Sequence, residues 1–470
     1  MTFYFFDLET SGFSPRDDRI MQFAGQRTDM DLKPVGEPDN ILIKMTPDVL
    51  PQPDAVMVHG ITPQQTLADG ITEAEFADYL CRIICAKDTI MVGFNNLRFD
   101  NDFIRFTLWR NFHDAYEWSW KEGCSTWDLL DVVRMTRALR PEGIKWPFAP
   151  DGKPSNRLEY LTKANHLQHD NAHDALSDVQ AAIDVAWLIK EKQPKLFDYL
   201  LNHRSKNKVA PLVTAGEPLV YTSGRYSSEF EKTTIAVMAA EKPDKSAALM
   251  YDLRIDPDEF KDKSAAELAE LWKARGQDAA YFPVKELKYN KCPAIAPLAV
   301  MDKASYERLK LHPELVQNHL KKLKAADGFG EKLLEARELM WPKPQTQMVV
   351  DVIKVDNLLY DGFIKDEDKT VMSALRAAKP EEIADFADQF KDERLKGLAP
   401  LYKARNYPKS LTAQEKAAWD SFCRQKLINK VFEEFFSRLN DVSKMPGITD
   451  EQQYLLEELN LYAQSITAAD

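Results

Sequence analysis

The sequence has few cysteines and lacks long apolar runs, repeats and low-complexity tracts. Its five cysteines in 470 residues include no Cys-x-x-Cys pair, which argues against a structural zinc site and for a reducing, cytoplasmic setting. No run approaches the ~18 apolar residues of a membrane span, and no basic leader precedes an apolar core. Ordinary apolar (44%) and charged (29%) contents exclude disorder, collagen and coiled coil. We therefore expect a globular protein without a membrane partner.

The length and the hydrophobic pattern predict about three domains. Strands are expected near residues 2–9, 20–27, 41–45 and 89–94, with helices near 72–86, 102–109, 127–139, 158–165 and 175–189. This order indicates an α/β domain with a mixed sheet flanked by helices. Short β-type runs in residues 211–300, with a helical insert near 265–274, predict a small antiparallel barrel or sandwich. Helical patterns then dominate from residue 302 onward.

Two carboxylates lie on the predicted first strand. Asp7 and Glu9 are two residues apart, so the strand period of two places both on one face, where they could share a cation. Such pairs are common in a chain with 74 acidic residues, and many simply face solvent. Here they directly follow an apolar aromatic run, residues 3–6. Acids at such a position would be buried and would need a metal or a proton.

A third acid, Asp100, follows a strand end and a turn. The carboxyl ends of strands are where open α/β sheets place ligand groups. Asn95 and Asn96 could shape that turn and hydrogen-bond an incoming group. Asp100 could equally cap the following helix, and the local sequence leaves both roles open.

A fourth acid, Asp178, is predicted on the first turn of a long helix. Asp174 is a plausible N-cap, and His173 precedes it, so His173 and Asp178 could face one spot near the helix N-terminus. His166 and His169 complete a His-x-x-His-x-x-x-His pattern that could suggest zinc. Without thiols, and with His166 on a different predicted element, surface or packing roles are the better interpretation.

Together the four carboxylates are hard oxygen ligands suited to two Mg²⁺ or Mn²⁺ ions rather than to zinc. Two such ions can bind a scissile phosphate, activate water and stabilise a leaving oxygen. His173 titrates near neutrality and is the natural general base. The pattern therefore predicts phosphodiester hydrolysis.

Three motifs carry a family resemblance. Asp7-Leu-Glu-Thr, Asn95-Asn-x-x-Phe-Asp100 and His173-x-x-x-x-Asp178, in this order, resemble the exonuclease motifs of the DEDDh superfamily on a ribonuclease H-like fold. Further stretches narrow the resemblance to the bacterial exodeoxyribonuclease I family over nearly the full length: residues 50–53, 59–64, 127–132, 138–144, 161–165, 359–363 and 404–408.

The resemblance implies a ribonuclease H-like exonuclease domain, a small Src-homology-three-like β-barrel and an all-helical C-terminal domain. We assign these to residues 1–200, 201–345 and 346–470. It also implies Mg²⁺-dependent, 3′→5′ hydrolysis of single-stranded DNA to 5′-mononucleotides by a monomer that works in DNA repair and recombination, with Mn²⁺ able to substitute. Asp7, Glu9, Asp100 and Asp178 map onto metal ligands, and His173 onto the general base.

A basic segment offers a path for single-stranded DNA despite the net charge of −12, which taken globally disfavours nucleic acid. Residues 132–163 contain seven basic and three acidic side chains, and five tryptophans lie in or beside them: Trp109, Trp118, Trp120, Trp127 and Trp146. Cations for phosphates and aromatics for bases suit sequence-tolerant binding. A solvated helix face above packed tryptophans is the alternative. The family pattern favours Arg134, Arg140 and Arg157, together with Tyr199, as DNA contacts.

Two other functions are less consistent with the sequence. An RNA exonuclease or a polymerase-associated proofreader would need little beyond the catalytic domain, and the roughly 270 additional residues argue against it. A non-catalytic DNA-binding scaffold would be expected to lose a ligand, yet all five positions are filled. The family also implies binding to the acidic-apolar C-terminal tail of single-stranded DNA-binding protein. Lys403 and Arg405 are possible contributors, although ordinary surface roles fit them as well.

Overall fold

The computed structural model describes residues 1–167, 174–274, 281–341, 350–427 and 430–467. The chain divides into two compact units. Unit 1 comprises residues 1–125, 170–180 and 348–470, and unit 2 comprises residues 126–169 and 181–347. The sequence-based ranges 1–200, 201–345 and 346–470 stay a prediction beside this division. Among the described residues, no helix combines the length and the apolar character needed to cross a membrane.

The first part of the chain supplies a small sheet and the helices around it. Its elements are β1 (Thr2–Thr10), β2 (Ile20–Thr28), β3 (Asp39–Leu42), α1 (Pro53–His59), α2 (Pro63–Asp69), α3 (Glu73–Tyr79), β4 (Thr89–Gly93), α4 (Asp100–Arg110) and β5 (Ser125–Asp128). A π-helical turn, Leu80–Ile84, continues α3. The helix predicted for residues 72–86 is therefore α-helical in its first half and π-helical in its second half.

The middle of the chain begins with helices and continues as a second sheet. Its elements are α5 (Leu129–Leu139), α6 (Leu158–Ala164), α7 (Ala175–Lys192), α8 (Pro194–Asn202), α9 (Lys206–Thr214), β6 (Leu219–Thr222), β7 (Thr233–Glu241), β8 (Ala247–Asp252), α10 (Ala265–Lys273), β9 (Val284–Lys288) and β10 (Ala294–Pro297). The helix predicted to start at Trp127 starts instead at Leu129. Asp128 ends a strand there, and its carboxylate accepts the N–H of Leu130 at 3.0 Å as an N-cap.

The rest of the chain is helical, as the sequence predicts. Its elements are α11 (Lys303–Arg308), α12 (Pro313–Lys324), α13 (Phe329–Met340), a 3₁₀ segment (Val352–Asp361), α14 (Asp366–Ala377), α15 (Ala384–Ala387), α16 (Glu393–Asn406), α17 (Ala413–Leu427), α18 (Lys430–Ser443) and α19 (Asp450–Thr467).

Strand β1 is central in unit 1. The order β3-β2-β1-β4 makes β1 antiparallel to β2 and parallel to β4, so the sheet is mixed as predicted. Tyr4, Phe6 and Leu8 share one face of β1 and pack into a core with Phe23 and Phe76. Because side chains alternate along a strand, Asp7 and Glu9 lie on the opposite face.

The C-terminal helices pack within the same unit as this sheet. One apolar core joins Trp109 and Phe112 of the α4 region to residues of the 3₁₀ segment, α14 and α16. A second core joins Met21, Met45 and Val56 to α17, α18 and α19. The helical end of the chain therefore completes the core beneath the N-terminal sheet.

Unit 2 contains the second sheet. Its strands follow the order β10-β6-β7-β8-β9, and every pairing is antiparallel. Val209 and Val213 of α9 pack on it with buried residues such as Tyr221, Met250 and Ile295. This architecture agrees with the predicted small antiparallel β domain, and α10 matches the helical insert predicted near residues 265–274.

Candidate metal centre

The first two carboxylates occupy the end of β1. Asp7 lies opposite Ala24 and Glu9 opposite Gln22, and the pairing with β2 shifts between Glu9 and Thr10. Such a bulge bends a strand locally and re-aims the side chains beside it. Both acids therefore share one face of the central strand, as the period of two predicts.

The third carboxylate, Asp100, follows β4 in the chain. This strand runs parallel to β1 as far as Val92, opposite Phe5, so the two strands end at the same edge of the sheet. A side chain at Gly93 would place its Cβ 2.6 Å from the Asn96 Cβ and 3.3 Å from the Phe6 carbonyl oxygen. Only glycine fits this close approach, which brings the following turn down beside β1.

The turn itself delivers Asp100. Asn95 adopts a left-handed conformation with φ of 77°, which asparagine tolerates better than most residues. Asp100 is the first residue of α4, and Phe99 occupies the N-cap position without a side-chain capping hydrogen bond. Asp100 is therefore not the N-cap residue of α4, the alternative role that the sequence left open for it. Asp100 is buried, at 5% exposure, and its charge acts on both Asp7 and Glu9.

The fourth carboxylate belongs to the first turn of α7. Asp178 donates its backbone N–H to the carbonyl of Asp174 at 3.0 Å, which places Asp174 just before the helix as predicted. Ligand oxygens of Asp7, Glu9 and Asp178 all lie within 4.8 Å of one another. The predicted base His173, and His169 of the possible zinc pattern, lie outside the described residues. His166 contacts Lys145 rather than an acid, with 3.3 Å between their side-chain nitrogens.

Burial and mutual repulsion disfavour the ionised forms of Asp7 and Glu9. Burial, and then the charges of Asp100, Glu9 and Asp178, raise the pKa of Asp7 well above its ordinary range. Burial, and then Asp178, Asp100 and Asp174, raise the pKa of Glu9 to about 8. Oxygen donors this close, with mutually raised pKa values, fit hard divalent cations that would compensate their charge. In the structure the charge of Asp174 also acts on Glu9, whereas the sequence predicted only a role as a helix cap for this residue.

The proposed DNA contacts occupy varied environments. Arg157 has a side chain 71% exposed, near Glu159. Arg134 is half-buried and bonded to Asp131 at 2.6 Å. Arg140 donates to the carbonyls of Leu139 and Val300. These arginines remain predicted contacts.

Tyr199 also remains a predicted contact, and it stacks on His203 with 4.1 Å between ring centroids. Other aromatic and basic residues in or beside the basic segment have structural roles. Arg137 is buried and bonds the carbonyls of Pro147 and Ser155 and the carboxylate of Glu231. Trp109, Trp118 and Trp127 are also buried, so the packing interpretation holds for these three tryptophans.

Lys403 and Arg405 are not surface residues. Both are buried, at 4% and 7% exposure. Lys403 is paired with Glu415, and Arg405 with Asp48 and Asp356. Their suggested role in binding a partner tail is therefore wrong, because their charges are already used inside unit 1.

Three family models match consecutive parts of the chain. Residues 4–186 match the model described as Exonuclease, residues 204–337 match the Exonuclease I SH3-like domain, and residues 353–466 match the Exonuclease I C-terminal domain. They bear out the fold class that the resemblance implied: an exonuclease domain, a Src-homology-three-like domain and a helical C-terminal domain.

Curated relatives match over nearly the whole length. Exodeoxyribonuclease I of Haemophilus influenzae is 38% identical over 98% of this chain and 98% of its own. Exodeoxyribonuclease I of Escherichia coli is 37% identical over 99% of this chain and 98% of its own.

Solved structures agree at similar identity. Exonuclease I from Methylocaldum szegediense is 38% identical with a TM-score of 0.92, covering 99% of this chain and 100% of its own. The E. coli enzyme in complex with a dA16 oligonucleotide has the same identity and TM-score and covers 99% of both chains. Two further structures are each 36% identical and cover 99% of both chains. The SSB/Exonuclease I structure in complex with the inhibitor CFAM has a TM-score of 0.89. The zinc-bound complex of E. coli Exonuclease I with single-stranded DNA has a TM-score of 0.91.

Proposed function

Because this chain belongs to the exodeoxyribonuclease I family and is a 3′→5′ exodeoxyribonuclease, we propose that it hydrolyses single-stranded DNA and releases 5′-mononucleotides in a reaction that requires Mg²⁺. The observation that carries this proposal is the convergence of Asp7, Glu9 and Asp178, whose ligand oxygens lie within 4.8 Å. The buried carboxylate of Asp100 adds to the same electrostatic field.

Asp7, Glu9, Asp100 and Asp178 are the residues that would hold two divalent cations. When bound, such cations supply Lewis acidity and a lowered pKa of water for phosphodiester hydrolysis. The donor set supports Mg²⁺, with Mn²⁺ as a substitute, because all four side chains are hard carboxylates and no thiol or imidazole of the described residues joins them.

The protein's own contribution is position and charge. The central strand carries Asp7 and Glu9 on one face, and the first turn of α7 carries Asp178 near them. The turn after Gly93 leads to Asp100, whose charge acts on Asp7 and Glu9. Without a cation, burial and mutual repulsion favour a proton on Glu9, whose pKa is about 8. We keep His173 as the general base, because a neutral imidazole nitrogen accepts a proton near pH 7. That assignment comes from the sequence.

Arg134, Arg140, Arg157, Tyr199 and Asn95 are proposed to contact the DNA strand. Arg157 has the most exposed side chain among the three arginines, at 71%. Arginine cations that meet phosphates give binding that weakens with salt. The exonuclease domain 1–200, the barrel domain 201–345 and the helical domain 346–470 remain our proposed division.

We also propose a partner, the C-terminal tail of single-stranded DNA-binding protein, which the SSB/Exonuclease I structure supports. The tail would bind away from Lys403 and Arg405, which are buried. A pull-down with the tail peptide tests this, and no capture would remove the partner. A monomeric state, a cytoplasmic location and a role in DNA repair and recombination also stay predictions.

The function is tested by following product release from three oligonucleotides of one sequence: single-stranded DNA, single-stranded RNA and blunt duplex DNA. We expect 5′-mononucleotides from single-stranded DNA, blocked by a phosphorothioate linkage at the 3′ end but not at the 5′ end. EDTA and Asp178→Asn should abolish release, whereas Asp327→Asn, an exposed acid, should not. Faster release from RNA would favour the RNA exonuclease instead.

A further inference from the structure

Two consecutive residues of unit 2 have a left-handed backbone. Glu231 has a φ of 47° and Lys232 a φ of 57°, a region that residues other than glycine rarely enter, and then usually singly. They end the connection between β6 and β7. The Lys232 N–H donates to the carbonyl of Ser227 at 3.0 Å, and the Lys232 carbonyl accepts the N–H of Ser223 at 2.9 Å. Hydrogen bonds therefore hold a conformation that costs free energy, and such conformations concentrate at functional sites.

This turn lies against helix α5. Arg137 Nε is 2.8 Å from a carboxylate oxygen of Glu231, so the first left-handed residue is paired with α5. Arg134 lies three residues earlier in α5, on the same side as Arg137, and its charge acts on Lys232. The second left-handed residue therefore brings a lysine near an arginine.

The other carboxylates of this neighbourhood also have partners. Asp131 accepts a hydrogen bond from Arg134 at 2.6 Å, and a Glu229 oxygen lies 2.8 Å from the ammonium nitrogen of Lys310. Lys232 is half-buried, and its ammonium group has no hydrogen bond or ion pair with any residue in the ranges that the structure describes. Burial, and then the charge of Arg134, lower the pKa of Lys232, and no carboxylate raises it.

An anion bound at Lys232 would compensate this charge. Lys232 and Arg134 carry like charges that repel each other, and a phosphate oxygen near them would be attracted by both. We propose that Lys232 contacts a backbone phosphate of single-stranded DNA beside Arg134, so that the SH3-like domain at residues 204–337 helps to hold the strand. A lysine that only faced solvent would need neither the left-handed turn nor a place beside an arginine. The proposal rests on the proposed function, which supplies the strand.

The test measures binding of a fluorescently labelled single-stranded oligonucleotide to the full chain by anisotropy, in EDTA to keep the strand intact. Lys232→Gln should weaken binding roughly 3- to 10-fold and reduce the salt slope by about one. Lys232→Arg should retain both, because the charge remains. The matched control is Lys245→Gln, at an exposed lysine with a φ of 50° between β7 and β8, and it should change neither.

Thermal stability distinguishes a DNA contact from a structural role. Lys232→Gln keeps a long side chain on the same backbone and removes the repulsion by Arg134. Its Tm without DNA should therefore equal or exceed that of the wild type, and added oligonucleotide should raise its Tm less. A lower Tm with an unchanged salt slope would make Lys232 a structural residue and would overturn the proposal.

Neutral linkages in the DNA locate the contacted phosphate. A single methylphosphonate linkage is moved along the oligonucleotide from its 3′ end, one position at a time. At one position it should weaken binding to the wild type and to Lys232→Arg but not to Lys232→Gln. Unchanged affinity and salt slope in folded Lys232→Gln, or an equal loss at every position in both proteins, would contradict the contact. Failure of the proposed function would instead appear as absent hydrolysis, with Mg²⁺ added, by a wild type that binds the strand.

Discussion

Replacing Asp356 with asparagine should strongly destabilise the protein, because this carboxylate balances buried cations. Asp356 accepts hydrogen bonds from Arg19 at 2.8 Å and from Arg405 at 2.7 Å. Asp48 accepts from Arg405 at 2.7 Å and from Lys426 at 2.8 Å. All five side chains are at most 15% exposed. Three cations therefore share two carboxylates away from water, and they join the N-terminal segment to the C-terminal helices of unit 1.

The magnitude follows from this charge count. The neutral amide at residue 356 leaves three buried cations facing Asp48 alone. Removing one partner of a buried ion pair costs about 3–5 kcal/mol, because the remaining charge stays out of water. We expect a loss of that size in the free energy of unfolding. Arg405→Met added to Asp356→Asn should recover part of it, because the excess buried charge is then smaller.

The same cluster predicts a pH dependence. Burial alone would raise the pKa of Asp48 and Asp356, but the cations of Arg405, Lys426 and Arg19 lower both below the ordinary range. The unfolded chain then binds more protons than the folded chain once the pH approaches the unfolded value of about 4. The stability that the pair contributes is complete well above that pH and is lost as the pH falls below it. Asp356→Asn should therefore lose less stability on acidification than the wild type.

Urea unfolding followed by tryptophan fluorescence at pH 7 and at about pH 2.5, below the unfolded pKa, measures both effects. The matched control is Glu307→Gln, which removes an exposed partner of Lys303 at 3.9 Å and should change the unfolding free energy by under about 1 kcal/mol. A loss under about 1 kcal/mol for Asp356→Asn at pH 7 would refute the reasoning.

Three further outcomes are expected. Gly93→Ala should lower the rate of hydrolysis, because its Cβ would meet Asn96 at 2.6 Å and displace the Asp100 turn; an unchanged kcat would contradict this. Arg157→Ala should reduce the salt slope of single-stranded DNA binding by about one in fluorescence anisotropy, and Lys303→Ala, also exposed, should not. Added Mg²⁺ should raise the Tm of the wild type in scanning fluorimetry by relieving repulsion among the carboxylates. An equal rise in Asp7→Asn would argue that the ion binds elsewhere.

The positions of Asp7 and Glu9 could be predicted because they depend on local geometry. A central strand has a fixed period of two, so both acids had to share a face. Asp100 could not be settled in the same way. Its role depends on the close approach of Gly93 to Phe6 and on the left-handed turn at Asn95, and these are tertiary contacts that leave Phe99, rather than Asp100, at the N-cap.

The residues whose environment the sequence predicted wrongly are paired with partners far away in the chain. Lys403 and Arg405 look like surface charges in the sequence, yet Arg405 is neutralised by Asp48, which is 357 residues away. Similarly, Arg137, one of the seven basic residues of the segment 132–163, is satisfied by carbonyls and by Glu231, so its charge in the sequence carries no information about DNA. The strand β5 was missed because the apolar pattern of residues 127–139 continues without a break into α5.

The central claim is that the carboxylates on β1, α4 and α7 form a metal-dependent site that degrades single-stranded DNA. Its most direct test is the rate of 5′-mononucleotide release from a single-stranded oligonucleotide with Mg²⁺, for the wild type and for Asp7→Asn. We predict that release requires the added metal and falls at least roughly 100-fold in the variant. Release that continues without a divalent metal, or an Asp7→Asn rate equal to that of the wild type, would contradict the claim.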